Sequence, residues 1–346
     1  MSVQTIAIVD DFAGRLLGWY DRSARVLPWR IAPGSAETPD PYRIWLAEVM
    51  LQQTTVAAVA GYFARFTERW PTVGDLAAAD DADVMAAWAG LGYYARARNL
   101  LACARTVAAV HGGRFPDSEA GLRALPGVGD YTAASVAAIA FGRAAVVVDA
   151  NIERVIARHR LIETPLPLAK REIRAALAPL VPVDRPGDFA QALMDLGATI
   201  CTPRSPDCAI CPVMAGCRAR GRSDIERLPV KPPKKAKPHR HGIAWWIERD
   251  GAIWLIRRPD KGMLGGMRAL PGGDWKEAPP AESGIVRVDH GFTHFDLTLT
   301  LVRREAPPES PGAAAEGLWW PIAELDAAGL PTLYRKLTDK MLERDA

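Results

Sequence analysis

The sequence has no apolar run approaching the roughly 20 residues that span a bilayer. Its start, MSVQTIAIVDDF, has no basic segment leading into an apolar one. Neither a membrane anchor nor a secretory leader is expected, and the chain reads as soluble and cytoplasmic. Net charge is also small: 43 Lys and Arg against 40 Asp and Glu leave +3. Any nucleic-acid contact must therefore come from local patches rather than from a general cationic field. No repeat of solenoid period is present. The Gly-rich turn LPGVGDYTA at 125–133 lacks the Gly-Lys-Ser/Thr ending that reaches nucleotide phosphates and magnesium, and it follows no strand. These absences exclude a P-loop and a dinucleotide-binding turn.

Cysteine is scarce, five in 346 residues, but it is not scattered: Cys201, Cys208, Cys211 and Cys217 are separated by six, two and five residues. In a cytoplasmic chain such clustering points to metal ligation rather than disulfides. All-thiolate ligation suits zinc or an iron–sulfur cluster. Structural zinc sites more often pair two CxxC knuckles, and only Cys208 and Cys211 form one, so spacing leaves both open. Either would be structural, because four protein ligands leave no open coordination position. Cys103, in an Ala-rich helical pattern, is expected to be a small buried hydrophobe.

A chain of 346 residues exceeds what one core usually fills, about 250 to 300 residues, and predicts two domains. Residues 1–222 read as nearly all α, with Phe12, Leu16, Trp19 and Tyr20 at helical spacing. Asp40 before Pro41 predicts an N-cap with proline in the first turn, opening a helix through PYRIWLAEVMLQQT. Residues 223–240, including LPVKPPKKAKPHRH, predict an extended linker. Residues 241–346 read as mixed β and α. There IAWWIERDGAIWLIRR predicts two strands around an Asp-Gly turn, and FDLTLTLVRR a half-buried strand.

LPGVGDYTAASVAAIAF, VVVDANIERVIAR, the upstream WLAEVMLQQT and the cysteine spacing together resemble the helix-hairpin-helix DNA glycosylases. Within them the chain is similar to the adenine-specific, MutY-type branch, from about residue 10 to 340. The resemblance implies a multidomain chain: an all-α helix-hairpin-helix domain with a [4Fe–4S] cluster on the four cysteines, then an α/β Nudix-like domain. Its implied partner is double-stranded DNA holding adenine opposite 8-oxoguanine, or opposite guanine, bound by a monomer. Such an enzyme flips the base out of the stack and cleaves its glycosidic bond. By this resemblance Glu48 is the general acid for N7 of adenine and then activates water. Its sequence neighbours Trp45, Leu46, Val49 and Met50 would raise its pKa. Asp149, which also reads as a helix N-cap, would stabilise the oxocarbenium-like sugar. Tyr131 stands where strand-cleaving relatives carry a Schiff-base lysine. A phenol cannot form that imine, so a monofunctional glycosylase is expected, with Tyr131 supporting the sugar site and Asn151 a partner there.

The resemblance extends to binding residues. Backbone N–H groups around Gly127 and Gly129 would grip a DNA phosphate. Trp29 and Arg30 would line the adenine pocket, and Gln191 would lie beside the base, where some relatives have glutamate. Gln53 and Tyr93 resemble the wedges that part or fill the stack. Phe292, Thr293 and His294 match the loop that reads 8-oxoguanine, usually Phe-Ser-His; threonine keeps the hydroxyl and adds a methyl. The second domain lacks the acidic REx₂EExG box, so magnesium-dependent pyrophosphate hydrolysis is not expected. Two rival readings are an endonuclease III-like glycosylase/lyase for oxidised pyrimidines and a non-catalytic mismatch-binding protein.

Overall fold

The computed structural model describes residues 11–233, 236–259, 262–281, 284–306 and 317–345. The chain divides into two compact units that do not follow chain order: residues 1–74 with 103–233, and residues 75–102 with 234–346. The helices ahead of the sheet are α1 (Phe12–Ser23), α2 (Pro41–Leu51), α3 (Val56–Arg69), α4 (Val73–Ala78), α5 (Asp81–Trp88) and α6 (Ala95–Val110). They continue with α7 (Glu119–Arg123), α8 (Asp130–Phe141), α9 (Ala150–Arg160), α10 (Ala169–Leu177) and α11 (Pro186–Thr199). Among the described residues no helix is long and apolar enough to cross a membrane.

In the first unit α2 is the central element. Asp40 caps it by accepting the Tyr42 N–H at 2.9 Å, and Pro41 occupies the first turn as expected. Its residues from Ile44 to Met50 are all buried and, Glu48 apart, apolar, so it is enclosed by neighbours on all sides. It packs on α3 and α8, while α11 packs on α1, α8 and α9. The helix stops at Leu51, three residues short of the predicted end at Thr54. The backbone turns there because Gln53 takes the left-handed conformation at φ 58° and Thr55 opens α3 as its N-cap. At Gly197 a Cβ would lie 2.6 Å from the Cβ of Asn151. Only glycine lets α11 approach α9 that closely, and Asn151 is held in place by the approach.

The second unit carries a mixed sheet of β1 (His239–Arg249), β2 (Ala252–Arg257), β3 (Arg268–Ala269), β4 (Val286–Gly291), β5 (Asp296–Arg304) and β6 (Gly317–Pro321). The strand order is β3-β2-β1-β5-β4, with β6 on β2. The predicted Asp-Gly hairpin is present: Asp250 and Gly251 both have positive φ, at 51° and 72°, as a two-residue turn between β1 and β2 requires. β1 and β5 are parallel over nine residue pairs, a long-range pairing that local patterning does not foretell. Leu297, Leu299 and Leu301 of β5 join Leu333, Tyr334, Leu337 and Met341 of α12 (Thr332–Asp345) in the core. The segment 75–102 closes on this unit, with a Cβ at Gly329 coming within 2.8 Å of Ala86 Cα, and the Arg98 guanidinium donating to the Gly265 carbonyl.

The expected linker begins later than its composition suggests. Ile225–Arg227 forms a 3₁₀ turn, Leu228 is buried, and the Leu166 N–H donates to the Val230 carbonyl at 2.8 Å, so residues 223–233 pack with the first unit. Lys234 and Lys235 lie outside the described residues.

Candidate active site

Helices α2, α8 and α9 each bring one chemically distinctive side chain to the same place. Glu48 sits in the last turn of α2, 5% exposed, where the helix offers no free N–H groups to solvate a negative charge. Burial pushes its carboxyl up, opposed first by a hydrogen bond from Tyr131, and the Asp149 carboxylate raises it further. Tyr131, in the first turn of α8, donates its hydroxyl to Glu48 Oε2 at 2.6 Å. Burial and the two acids beside it hold the Tyr131 phenol well above the usual range, so it stays a donor. Ser135 follows one turn later on α8, fully buried.

Asp149 is the N-cap of α9. Its Oδ1 accepts the Ile152 N–H at 2.7 Å and its Oδ2 accepts the Asn151 amide at 2.9 Å. Burial raises this carboxyl too, but the backbone N–H groups, the amide and the Arg154 charge all pull it back. Asn151, expected as a partner at the sugar site, is bonded to Asp149 through its amide, within the first turn of α9. The same side chain accepts from Arg154 at 2.9 Å, and Arg154 donates to the Gly197 carbonyl at 2.6 Å and the Cys201 carbonyl at 2.8 Å. A continuous chain of hydrogen bonds therefore runs from Asp149 through Asn151 and Arg154 to the first cysteine of the cluster loop.

That loop is anchored by the other end of α9. Arg158, 1% exposed, donates to the carbonyls of Thr202, Pro203, Ile225 and Leu228 at 2.7 to 3.2 Å and approaches Cys201 Sγ at 3.5 Å. Cys201, Cys208, Cys211 and Cys217 line one pocket, whose other walls include Val155, Leu196, Ile200 and Val213. Among the described residues no three metal-ligating side chains are gathered for a single ion. The four soft donors, the apolar shell and the neighbouring guanidinium fit a thiolate-bound cluster, whose negative charge Arg158 would offset. Burial raises the Cys208 and Cys217 thiols and pushes Cys211 to about 11, so it is the metal that would hold them as thiolates. Cys103 is buried, its thiol pushed up to about 12 by burial, as a small hydrophobe should be.

The remaining expected site residues divide. Arg30 is bonded at 2.8 Å to both oxygens of Asp195, which is fully buried on α11 and also takes the Arg25 guanidinium at 2.6 Å. Arg30 still bears on Glu48, lowering its pKa. Sequence reasoning missed Asp195, although an acid inside the apolar stretch ALMDLG was a signal that a buried cation must lie opposite it. Trp29 is 6% exposed with its ring edge-on to Phe63 at 5.4 Å, a core contact. Gln191 is buried on α11, whereas Gln53 is exposed on its left-handed turn next to Gln52, which donates to Thr132 of α8. In the hairpin between α7 and α8, Leu125 and Val128 anchor the turn in the core and Gly127 has φ 72°. Gly129 is the N-cap of α8, without a side-chain cap and with open space where a Cβ would be.

In the second unit Phe292, Thr293 and His294 form the tight turn between β4 and β5, closed by the Phe292 N–H on the Phe295 carbonyl at 2.9 Å. Phe292 stacks on Trp275, leaving Thr293 and His294 exposed at the tip. Tyr93, 47% exposed and left-handed at φ 50°, lies 3.0 Å from Thr293 Oγ1 through its hydroxyl.

Residues 46–182 match the family described as HhH-GPD superfamily base excision DNA repair protein. Residues 201–217 match the iron–sulfur binding domain of endonuclease III, which decides between the two metals in favour of a [4Fe–4S] cluster, and 242–340 match a NUDIX domain. The chain is 39% identical over 404 residues to an adenine DNA glycosylase of Homo sapiens, covering 96% of this chain and 74% of that one. It is 28% identical to one from Buchnera aphidicola, covering 95% and 97%. Among solved structures, a thermostable thymine-DNA glycosylase superposes with a TM-score of 0.53 at 32% identity, covering 60% of this chain and 94% of its own. With this similarity running through both units, the chain belongs to the adenine DNA glycosylase family of the HhH-GPD superfamily.

Proposed function

We propose that this protein excises adenine mispaired with 8-oxoguanine, and with guanine, from double-stranded DNA, and that it stops at the abasic site. The observation that carries this reading is the unequal pair of buried carboxyls, one in the last turn of a helix and one at a helix N-terminus. Glu48, with no backbone N–H to accept, keeps its proton and delivers it to N7 of the flipped adenine. Asp149, bonded by the Ile152 N–H and the Asn151 amide, remains the carboxylate that offsets positive charge on the departing sugar. Glu48, now ionised, then takes a proton from the attacking water, and Tyr131 holds its carboxyl in place throughout. The [4Fe–4S] cluster, on Cys201, Cys208, Cys211 and Cys217, supplies structural ligation that fixes its loop.

The remaining roles follow the same reading. Trp29, Arg30 and Gln191 bound the adenine pocket; the N–H groups around Gly127 and Gly129 hold a backbone phosphate; Gln53 and Tyr93 enter the stack; and Phe292, Thr293 and His294 read the opposite base. The protein acts as a monomer, with residues 241–346 serving as the lesion reader.

The deciding experiment is single-turnover excision on duplexes with adenine opposite 8-oxoguanine, guanine or cytosine, and on one with an oxidised pyrimidine. Release of adenine, fastest opposite 8-oxoguanine and lost in Glu48→Gln, is the expected result. Borohydride trapping of a covalent DNA adduct would overturn the monofunctional assignment, and tight binding without base release would leave a mismatch-binding protein.

A further inference from the structure

Within the carboxyl cluster, the Ser135 hydroxyl is the polar group with no assigned task. Ser135 is fully buried on α8, one turn beyond Tyr131, and its Oγ has no hydrogen-bond partner of good geometry. It nevertheless lies close enough to Glu48 and Tyr131 to favour the ionised form of each. A buried hydroxyl left unbonded is costly, and a native protein usually satisfies it or uses it. An alanine would fill the same helix position without that cost, and Ala133, Ala134, Ala137 and Ala138 do so around it.

The reaction supplies a moment at which the hydroxyl would be needed. Resting on the proposed function, Glu48 begins protonated and becomes a carboxylate when its proton moves to N7 of adenine. A carboxylate there is buried and, among the described residues, accepts a well-formed side-chain hydrogen bond from the Tyr131 hydroxyl. The groups that face it are Tyr131 and Ser135 from α8, Asp149 from the start of α9, and Arg30 from the loop after α1. Asp149 opposes ionisation, and Arg30 is already committed to Asp195. A hydroxyl rotates about one bond, so Ser135 can turn toward Glu48 without moving the backbone.

We propose that Ser135 is a positioning residue for the proton transfer: its hydroxyl, unbonded while Glu48 is protonated, donates to the Glu48 carboxylate as the proton leaves. Only the hydrogen bond changes in this step; the proton goes from Glu48 to the base, and Ser135 keeps its own.

The test is the pH profile of single-turnover adenine excision by the full-length, cluster-bearing Ser135→Ala protein, with its melting temperature. Loss of a hydrogen bond to a charged group is expected to slow excision about tenfold or more. Removing a donor to the carboxylate raises the pKa of Glu48. The basic limb, where the acid loses its proton, must therefore move to higher pH. An unchanged rate with a raised melting temperature would overturn the proposal, marking the hydroxyl as an unused polar group. So would a slower rate with an unmoved basic limb, which would mark a packing role. Should alanine perturb folding, Ser135→Thr and Ser135→Val carry the same added bulk, and only threonine should retain the wild-type limb. Wild-type protein that releases no adenine would instead refute the proposed function, so the two failures are distinguishable.

Discussion

Glu48 and Asp149 are both buried carboxyls in one site, yet they sit in opposite backbone environments. Asp149 stands at the start of α9, where free N–H groups and the helix dipole favour negative charge. Glu48 stands in the last turn of α2, where the backbone N–H groups are already used within the helix and the helix dipole disfavours negative charge. Burial raises both carboxyls; at Glu48 it is opposed by the Tyr131 and Ser135 hydroxyls and the Arg30 charge, and at Asp149 by backbone N–H groups, the Asn151 amide and the Arg154 charge. On the proposed function, the position without free N–H groups would store a proton and the N-cap would store a charge, the division of labour that acid-assisted departure of a base from a sugar needs. The C-terminal end of α9 shows the complementary rule: the buried cation Arg158 is satisfied by carbonyl oxygens, as Asp149 is by N–H groups.

Breaking this contrast should have graded effects. The largest is at Glu48. Glu48→Gln cannot donate a proton to N7 and should lower single-turnover excision by about 10²- to 10⁴-fold, the usual worth of general acid catalysis. The same variant should melt higher than wild type, increasingly so as pH rises. A carboxyl with a raised folded-state pKa binds its proton more tightly folded than unfolded, so its ionisation costs stability as pH climbs, and glutamine escapes that cost. A melting curve series from acid to alkaline pH checks the sign.

Arg158→Ala removes the buried hub of the cluster loop and leaves several carbonyls without a donor, at about 1 to 3 kcal/mol each. Iron bound per chain and melting temperature should both fall. Smaller effects sharpen the Asp149 side. Asn151→Ala deletes one donor to the carboxylate, so Asp149 needs a higher pH to ionise, and the acidic limb of the rate profile should move up with about a tenfold loss of rate. Arg154→Leu, which frees Asn151 from behind, should move the same limb in the same direction by less. The smallest expected effect is at Asp40, whose replacement by alanine removes a cap on α2 and should lower stability by about 1 kcal/mol without altering either limb of the profile.

Much of this arrangement was legible in the sequence where the signal is local. Asp40-Pro41 marked the start of α2, Asp250-Gly251 the hairpin, and the cysteine spacing a metal loop, because caps, turns and ligand sets are written in neighbouring residues. Asp149 was legible for the same reason, as an N-cap. Glu48 was ambiguous, since a glutamate on a helix is usually solvated and only tertiary enclosure of α2 on all sides buries it. Asn151 was named for the sugar site through the resemblance, but its bond to Asp149 was not, and the close passage of Gly197 on α11 helps fix its side chain. The β1–β5 parallel pairing, the Asp195 ion pairs and the packing of residues 75–102 with the sheet unit all join distant parts of the chain, where local patterning has nothing to report.

The central claim is that at neutral pH Glu48 holds a proton and Asp149 does not. Infrared difference spectra of the intact, cluster-bearing protein test it directly, through the carbonyl stretch of a protonated carboxylic acid in wild type, Glu48→Gln and Asp149→Asn. The account predicts that the band is present in wild type, survives in Asp149→Asn and disappears in Glu48→Gln. A band that survives in Glu48→Gln and is lost in Asp149→Asn would contradict it.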